Sequence, residues 1–434
     1  MVKRRYITVL MPAAVAVLVS FVYLQPAEAG PIKVAGDYEA LVLRYECASR
    51  QAVGQRVKAV QQLASCKDPR ALDFLISIYT REKNQGVVSS IISAIGCRKG
   101  ERAANFLMGE FDSRRAACYK CNIVWALLST GDSRVLEFLF SNLVGEKDRN
   151  VIKTIIAAIG CRRGERAAGF LIEEYDNPTL ALYRCDIIKA LVTTGDPRTL
   201  SFLFSIYTSE KDQSIVATVI QFIGRFREAR ATAFLMKEYD DPAAAAYKCD
   251  ILGSLMQNKS ERTLDFLIST YSGEKDRNAV RTIIRFIGRF REARATDFLK
   301  KEYENPEAAP CKCHIISALL QNRNSQTLDF LISIYSREKD GNVLRTIISA
   351  IGSFGDERAI NFLMKEFDNP EAAANKRSIV AILLQKQDSR AFRFVTGKFA
   401  SEKKDIQNFI TGRIIQLKFK AAKDFILRSR RPAR

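Results

Sequence analysis

The stretch FIGRFREARAT occurs at Phe222–Thr232 and again, unchanged, at Phe286–Thr296. It belongs to a longer pattern, since phenylalanines recur in similar contexts at the same 64-residue step: Phe106, Phe170, Phe234, Phe298 and Phe362. A second series lies midway between them and comprises Phe74, Phe138, Phe202, Phe266, Phe330 and Phe394. The chain is therefore built from a 32-residue unit with two alternating subtypes, and a period in this range is typical of solenoids.

One unit, Asp196–Gly224, reads DPRTLSFLFSIYTSEKDQSIVATVIQFIG. Apolar residues at helical spacing over 200–207 predict a first helix, for which Asp196 supplies an N-cap oxygen. A polar turn follows, and the apolar run 215–223 predicts a second helix with Gly224 as its C-cap glycine. Each hairpin has one apolar face that only a stacked neighbour can bury, so the sequence predicts an all-α solenoid of about twelve hairpins.

The unit starts DPRALDFL, GDSRVLEFL, GDPRTLSFL and GDERAINFL resemble HEAT-like repeats of the phycobilin-lyase type, over roughly Asp37 to Leu417. This resemblance implies that the second helices line a concave surface, and its lyase branch holds a bilin. It says little else about function, because fold-level likeness is only analogy. An arginine that opens the first helix in ten of eleven units is interpreted as a structural strut: Arg70, Arg102, Arg134, Arg166, Arg198, Arg230, Arg262, Arg294, Arg358 and Arg390.

Residues 1–29 have a basic start, an apolar run and an Ala-x-Ala ending, which predicts a secretory signal peptide. The alternative is an uncleaved membrane anchor over 6–24, and in both cases the solenoid is exported to a periplasmic or secreted location. We further expect a capping repeat over 30–66, the repeat solenoid over 67–404, and a C-terminal capping helix with a basic tail over 405–434.

The chain has a net charge of +20, and loss of residues 1–29, with three basic residues and one acidic residue, lowers it to +18. Such a charge favours anionic partners, although it also serves the solubility of a large surface. The ten cysteines of an exported chain suggest disulfides. However, Cys121, Cys185, Cys249 and Cys313 occupy equivalent positions in successive 64-residue repeats, too distant to pair. We expect these four to be buried free thiols. The alternatives that stay open are a disulfide between Cys118 and Cys121, between Cys311 and Cys313, or between Cys66 and a loop cysteine.

Little in the sequence points to catalysis. His314 is the only histidine, which excludes sites built on several imidazoles, including the paired His-Glu motifs of HEAT-like iron hydroxylases. The motif CYKC at Cys118–Cys121 lacks a second pair, and CKCH at Cys311–His314 has one residue too few between its cysteines for haem attachment. We therefore predict no enzyme activity, no catalytic residues, no metal and no cofactor.

Positive charge stands out instead. A cationic ladder lies near the start of alternate second helices: Lys120, Arg184, Lys248, Lys312 and Lys376. The other subtype adds Lys153, Arg281 and Arg345, and the repeated stretch adds Arg225, Arg227, Arg289 and Arg291. All twelve are candidate partner-binding residues, against the alternative that they are solvated helix ends or inter-unit struts.

These observations predict a non-enzymatic, exported protein-interaction scaffold that uses its extended solenoid surface. The expected partner is another protein, acidic in character, with no evident small-molecule substrate and a membrane only if the N-terminal segment stays uncleaved. One alternative is polyanion or nucleic-acid binding on a basic concave face; against it, the aromatic residues lie at core spacing and not where bases could stack. A bilin-lyase-like enzyme is the third reading.

Overall fold

The computed structural model describes residues 38–48, 52–322, 325–385 and 388–416. Over these ranges the chain forms 24 α-helices and no strand, as the repeat predicts. The first twelve are α1 Tyr38–Cys47, α2 Val53–Ser65, α3 Arg70–Arg81, α4 Gln85–Cys97, α5 Glu101–Phe111, α6 Lys120–Thr130, α7 Val135–Leu143, α8 Arg149–Cys161, α9 Glu165–Glu174, α10 Arg184–Thr194, α11 Arg198–Ser209 and α12 Gln213–Ile223. The rest are α13 Ala229–Tyr239, α14 Lys248–Leu255, α15 Glu261–Tyr271, α16 Arg277–Ile287, α17 Ala293–Glu304, α18 Lys312–Leu319, α19 Ser325–Tyr335, α20 Gly341–Phe354, α21 Glu357–Phe367, α22 Lys376–Gln385, α23 Ser389–Lys398 and α24 Lys404–Gln416.

The helices pair in sequence order into hairpins of two kinds that alternate along the chain. In the plain hairpins, such as α15–α16, a short loop joins the first helix to the second. In the others, a six-residue 3-10 helix precedes the second helix, at Arg114–Tyr119, Pro178–Tyr183, Pro242–Tyr247, Pro306–Cys311 and Pro370–Asn375. A shorter 3-10 turn, Phe399–Ser401, follows α23. The two kinds of hairpin are the two sequence subtypes, and together they form a solenoid.

Side-chain caps fix where the second helices of the plain hairpins begin. Asp148 accepts hydrogen bonds from the backbone N–H groups of Asn150 and Val151, and Asp276 accepts one from Ala279. The 3-10 helices begin in the same manner, since Asn177 and Asn305 each accept a backbone N–H two residues on. These oxygens satisfy donors that a helix start leaves without a partner, which explains the recurrent Asp and Asn.

The chain divides into two compact units, one up to Thr199 and one from Leu200, with the boundary inside α11. In the first unit, the second helices α2, α4, α6, α8 and α10 pack on one another in sequence. In the second unit, α12, α14, α16, α18, α20, α22 and α24 do the same. The core of each unit lies between this second-helix layer and the first helices, where branched side chains such as Ile155, Ile156 and Ile283 are fully buried.

Edge-to-face aromatic pairs join successive first helices. The rings of Tyr79 and Phe106 have centroids 5.6 Å apart at 89°, and those of Tyr303 and Phe330 lie 5.8 Å apart at 87°. Aromatic pairs favour this geometry because the positive edge of one ring meets the negative face of the other. The phenylalanine series that marks the repeat in the sequence is thus the series of contacts between hairpins.

The arginines that open the first helices also link neighbouring hairpins. Arg166 Nη2 lies 2.7 Å from Glu137 Oε1 on the preceding first helix, and Arg198 Nη1 lies 3.2 Å from Glu165 Oε1. The expected strut is therefore an ion pair between first helices. All four side chains are exposed, so each pair stabilises the fold by at most about 1 kcal/mol.

The expectation that Gly224 is a left-handed C-cap needs correction. Gly224 follows α12 with φ −61°, in the right-handed region, so it is not a left-handed cap. Its equivalent Gly160 lies inside α8, where a Cβ would lie 2.7 Å from the carbonyl oxygen of Ala190 on α10. These glycines permit close helix approach, and left-handed caps occur instead at Gly131, Gly195 and Gly355, at the ends of α6, α10 and α20.

The ten cysteines are free thiols. This agrees with the prediction for the 64-residue series, and it means that the three alternative pairings do not form. The prediction that this series is buried was wrong, because Cys249 is exposed and the other three are of intermediate exposure: Cys121, Cys185 and Cys313. The position lies at the seam between second helices, where Thr154 Oγ1 is 3.3 Å from Cys121 Sγ.

The proposed signal peptide or anchor, and the basic tail beyond residue 416, lie outside the described residues. Among the helices that the structure does describe, none is both long and apolar enough to cross a membrane.

The close approach at Gly160 predicts a large difference between two Gly→Ala substitutions. Gly160→Ala forces α8 and α10 apart and should lower the free energy of unfolding by about 1–3 kcal/mol. The control is Gly169→Ala inside α9, where a Cβ meets nothing within 4 Å. That change should raise stability by about 0.5–1 kcal/mol, since alanine is the better helix former. Urea denaturation of both variants measures the difference, and equal stability of the two would contradict glycine-limited packing.

Candidate functional site

Cations of the ladder form ion pairs and aromatic contacts within the protein. Lys248 Nζ lies 2.7 Å from Glu274 Oε2 and 4.9 Å from the centre of the Tyr239 ring. The same pairing, with the same separation in sequence, recurs at Lys120–Glu146, Lys312–Glu338 and Lys376–Glu402, and Arg56–Glu82 is its counterpart near the start of the chain. The cation comes from the start of one second helix and the glutamate from the loop of the next hairpin.

The side chain of each ladder glutamate is largely buried and is held on several sides. The Glu274 side chain is 4% exposed, its Oε1 accepts the N–H groups of Lys275 and Asp276, and its Oε2 also accepts the Tyr239 hydroxyl. Burial alone would raise its pKa, but the Lys248 ammonium, the Tyr239 hydroxyl and the backbone N–H groups outweigh it and lower the pKa of Glu274 to about 2. The carboxylate thus stays charged and binds the lysine across the hairpin interface.

Other candidate cations also have partners nearby. Arg184 Nε donates to the carbonyl oxygen of Tyr175 at 3.3 Å. Lys153 Nζ on α8 lies 3.7 Å from Asp186 Oδ2 on α10. Arg345 Nη2 donates to Asn342 Oδ1 at 2.5 Å. A partner-binding role for the ladder remains a prediction, and its internal contacts give it a structural role that needs no partner.

The arginines of the repeated stretch are placed differently. Arg225 and Arg289 follow the ends of α12 and α16, and their guanidinium carbons lie 4.6 Å and 5.2 Å from the ring centres of Phe222 and Phe286. Arg227 and Arg291 are exposed in the loops that follow. Within the described ranges, none of the four forms an ion pair with a carboxylate. They lie on two separate hairpins, and the structure does not bring them into one site.

The structure adds Arg277 and Arg285, two residues that the sequence interpretation missed. Arg277, Arg281 and Arg285 on α16, followed by Arg289 just after it, are spaced four residues apart and are all exposed. This arginine row advances by about 6 Å per step along one side of the helix. Its signal was readable as RNAVRTIIRFIGR, but comparison of each position with its repeat equivalents separated Arg281 from Arg289 and overlooked Arg277 and Arg285.

On the C-terminal side of the arginine row the second helices carry no negative charge, whereas α14, which packs on the other side of α16, carries Asp250. The second helices α16, α18, α20 and α22 contain no aspartate or glutamate within their bounds. In the described part of the chain, no ion pair involves Arg277, Arg281 or Arg285. This contrasts with α8 and α10, where Asp186 lies beside Lys153.

A cleft of about 380 Å³ lies beside the arginine row, between α16 and α18. Its lining consists of Arg281, Thr282, Arg285, His314, Ser317, Ala318 and Gln321. Partial desolvation at the cleft wall, together with the positive charge of Arg281, lowers the pKa of the solvent-exposed His314, so the imidazole is neutral at neutral pH. Except for Ala318, every lining side chain can donate a hydrogen bond, which suits an anionic ligand.

No protein-family model and no curated protein matches the chain. Among solved structures, human deoxyhypusine hydroxylase in complex with glycerol is 16% identical, with a TM-score of 0.23, covering 77% of this chain and 96% of that one. A structure from work on a conserved phosphorylation switch in the interaction between cadherin and beta-catenin is 13% identical, with a TM-score of 0.28, covering 89% and 98%. Superpositions this loose carry no argument about function.

The ladder generates a prediction about stability and its pH dependence. Lys248→Met leaves Glu274 buried without its ammonium and should cost about 3 kcal/mol at pH 7. Because the folded-state pKa of Glu274 is lowered, the wild-type contribution is complete above the unfolded pKa of about 4.3 and disappears as the pH falls towards 2. The stability gap between wild type and variant should therefore close over this window.

The control is Lys248→Arg, because arginine occurs naturally at the equivalent Arg56 position. This variant should retain most of the stability at pH 7. Denaturant titrations at several pH values measure both effects, and a gap for Lys248→Met that is unchanged at pH 2 would argue against the buried ion pair.

Proposed function

We propose that the chain is a non-enzymatic binding scaffold that holds an acidic segment of a partner protein on the second-helix layer of its second unit. The observation that carries this proposal is the arginine row of α16. Its guanidinium groups are exposed and lack carboxylate partners among the described residues, whereas most other conspicuous cations of the chain are internally paired. Arginines four residues apart on a helix repel one another and destabilise the helix, and an acidic ligand relieves this repulsion.

The spacing of the row supports a polypeptide ligand. Arginines four residues apart are separated by about 6 Å along the helix. In an extended peptide, alternate side chains share one face and lie about 6.6–6.8 Å apart. A segment with acidic residues at alternate positions can therefore place one carboxylate near each arginine, and arginine binds carboxylates through paired N–H donors.

The repeat architecture supports a scaffold. Successive second helices pack side by side, so their exposed side chains form one continuous surface over several hairpins. A segment that leaves the arginine row across this layer next meets α18 and α20, which carry no acidic residue and add Arg345. Export follows from the signal-peptide features of residues 1–29, so the proposed partner is periplasmic or secreted.

A second candidate, a polyanion such as nucleic acid, is favoured by the net charge of +20 and would use the same row. Proteins that hold single strands usually offer exposed aromatic rings for base stacking. Here the aromatic rings mostly pack edge to face between first helices, as in Tyr239 with Phe266 and Tyr335 with Phe362. This arrangement favours the protein partner, and the described residues add nothing in favour of a bilin lyase.

The test is fluorescence anisotropy with a labelled peptide in which glutamate alternates with serine. Replacing Arg277, Arg281 and Arg285 together with serine should weaken binding about tenfold at low salt, since each exposed pair contributes up to about 1 kcal/mol. The loss should shrink as salt screens the wild-type attraction. A parallel titration with a single-stranded oligonucleotide of equal charge distinguishes the polyanion candidate, which predicts tighter binding to the oligonucleotide.

The matched control replaces three exposed arginines of the first helices, Arg102, Arg166 and Arg358, with serine. These arginines pair with Asp73, Glu137 and Asp329, and their loss lowers the net charge by the same amount. Binding by this variant should stay within about twofold of wild type, because its row is intact. Equal weakening by both triple variants would show that only total charge matters and would reject the row as a docking site.

A further inference from the structure

We propose that the cleft between α16 and α18 binds the dianion of a phosphomonoester. This goes beyond the docking of an acidic segment, because it assigns a small-anion site within the second-helix layer. The group can come from a free phosphorylated small molecule or from a phosphorylated side chain of the docked segment, and the experiment below separates these sources.

The repeat provides an internal comparison for the cleft. In the first unit, Lys153 on α8 faces Asp186 on α10, and the carboxylate neutralises the ammonium. The second unit has three equivalent pairs, Ala217 with Asp250, Arg281 with His314 and Arg345 with Ser378, and the cleft lies at the second of them. An imidazole with a lowered pKa therefore stands where the other unit has a carboxylate, and the cation opposite it is left available for an external anion.

A second substitution strengthens the same cleft. Arg285 lies one helical step beyond Arg281, and its equivalents on α8, α12 and α20 are Ala157, Gln221 and Ser349. Only α16 of these helices places two arginines on the wall of such a cleft. Two guanidinium groups on one side, and hydroxyl, amide and imidazole donors on the other, surround a volume of about 380 Å³.

This donor set suits a phosphomonoester better than a single carboxylate. A carboxylate has two oxygens, which one arginine can saturate through a bidentate contact. A phosphomonoester has three terminal oxygens and a charge near −2 at neutral pH, so it can use both arginines and further donors from Thr282, His314 or Ser317. The lack of any acidic lining residue removes the repulsion that a dianion would otherwise meet.

The charges around His314 make it a reporter of the bound group. On the second helices packed against α18, the charged residues are all arginines, namely Arg277, Arg281 and Arg285 on α16 and Arg345 on α20. On its own helix, Lys312 is bound to Glu338. The acidic residues of α17 and the next 3-10 helix are Asp297, Glu302, Glu304 and Glu307, of which Glu302 bonds to Asn305 and Glu304 to Arg337. The lining of the cleft itself has no acidic residue, so a dianion bound there adds a negative charge directly beside His314.

The experiment uses the full chain without a histidine tag, labelled with [13Cε1]histidine, so that His314 gives the only histidine signal. NMR titration from pH 5 to 8 measures its pKa with and without O-phospho-L-serine, and with glutamate at equal ionic strength. O-phospho-L-serine should raise the pKa of His314 by about one pH unit, saturably, because a nearby anion favours the imidazolium form. Glutamate should leave it within a few tenths.

Two variants show where the anion binds. Arg281→Gln should raise the ligand-free pKa of His314, because it removes the neighbouring positive charge, and should abolish the response to O-phospho-L-serine. Lys153→Gln, at the equivalent position of the first unit, should leave the response unchanged. If glutamate and O-phospho-L-serine act alike, or if Arg281→Gln still responds fully, the phosphomonoester site is rejected.

Peptides separate the two sources and keep this inference distinct from the proposed function. The alternating glutamate peptide is compared with the same peptide carrying a central phosphoserine. Tenfold tighter binding of the phosphopeptide, lost in Arg281→Gln, supports a site for a phosphorylated segment. A saturable His314 response to O-phospho-L-serine without binding of either peptide supports a free phosphomonoester and rejects the docked segment. Equal binding of both peptides, with no His314 response, rejects the cleft site and leaves the proposed function standing.

Discussion

A buried carboxylate in the loop of the plain hairpins fixes how successive hairpins join. Glu274 is bonded to two N–H groups of its own loop, so its position is set by the hairpin to which it belongs. Its other oxygen receives Lys248 and Tyr239 from the hairpin before. A buried charge of this kind is stabilising only when its partners are in place, so the interaction allows one register between neighbours. The aromatic and aliphatic contacts along the interface are then made in that register.

Much of the fold was predictable, because the repeat allows each position to be compared with its equivalents in the other units. The 32-residue period, the helical spacing over 200–207 and the N-cap Asp196 predict hairpins without any long-range information. The 3-10 helices were not predicted, since a sequence such as PEAAP has no apolar period from which to read them. Gly224 was interpreted as a helix cap because the sequence around it does not reveal the contact that requires a glycine. That contact is with Ser254, on the second helix of the next hairpin.

Contacts with the next hairpin also explain why the candidate site was only partly predictable. The ladder was recognised as cationic, but its glutamates lie further along the chain, in the next hairpin, and nothing in one unit reveals that pairing. The repeat comparison also favours residues that recur, whereas Arg285 and His314 are unlike their equivalents. In a repeat protein, recurrence indicates the residues that hold the stack, and departures from it indicate where one hairpin has acquired a property of its own.

The interfaces between hairpins are of two alternating kinds, and this has a mechanical consequence. The buried ion pair joins the end of one 64-residue pair of hairpins to the start of the next, while the glycine contact, as between Gly160 and Ala190, lies inside each pair. Acid protonates the glutamates but leaves a steric backbone contact unchanged. Within each unit, the chain is therefore a row of tight doublets joined by acid-labile couplings, and it should come apart in acid by doublets and not by single hairpins.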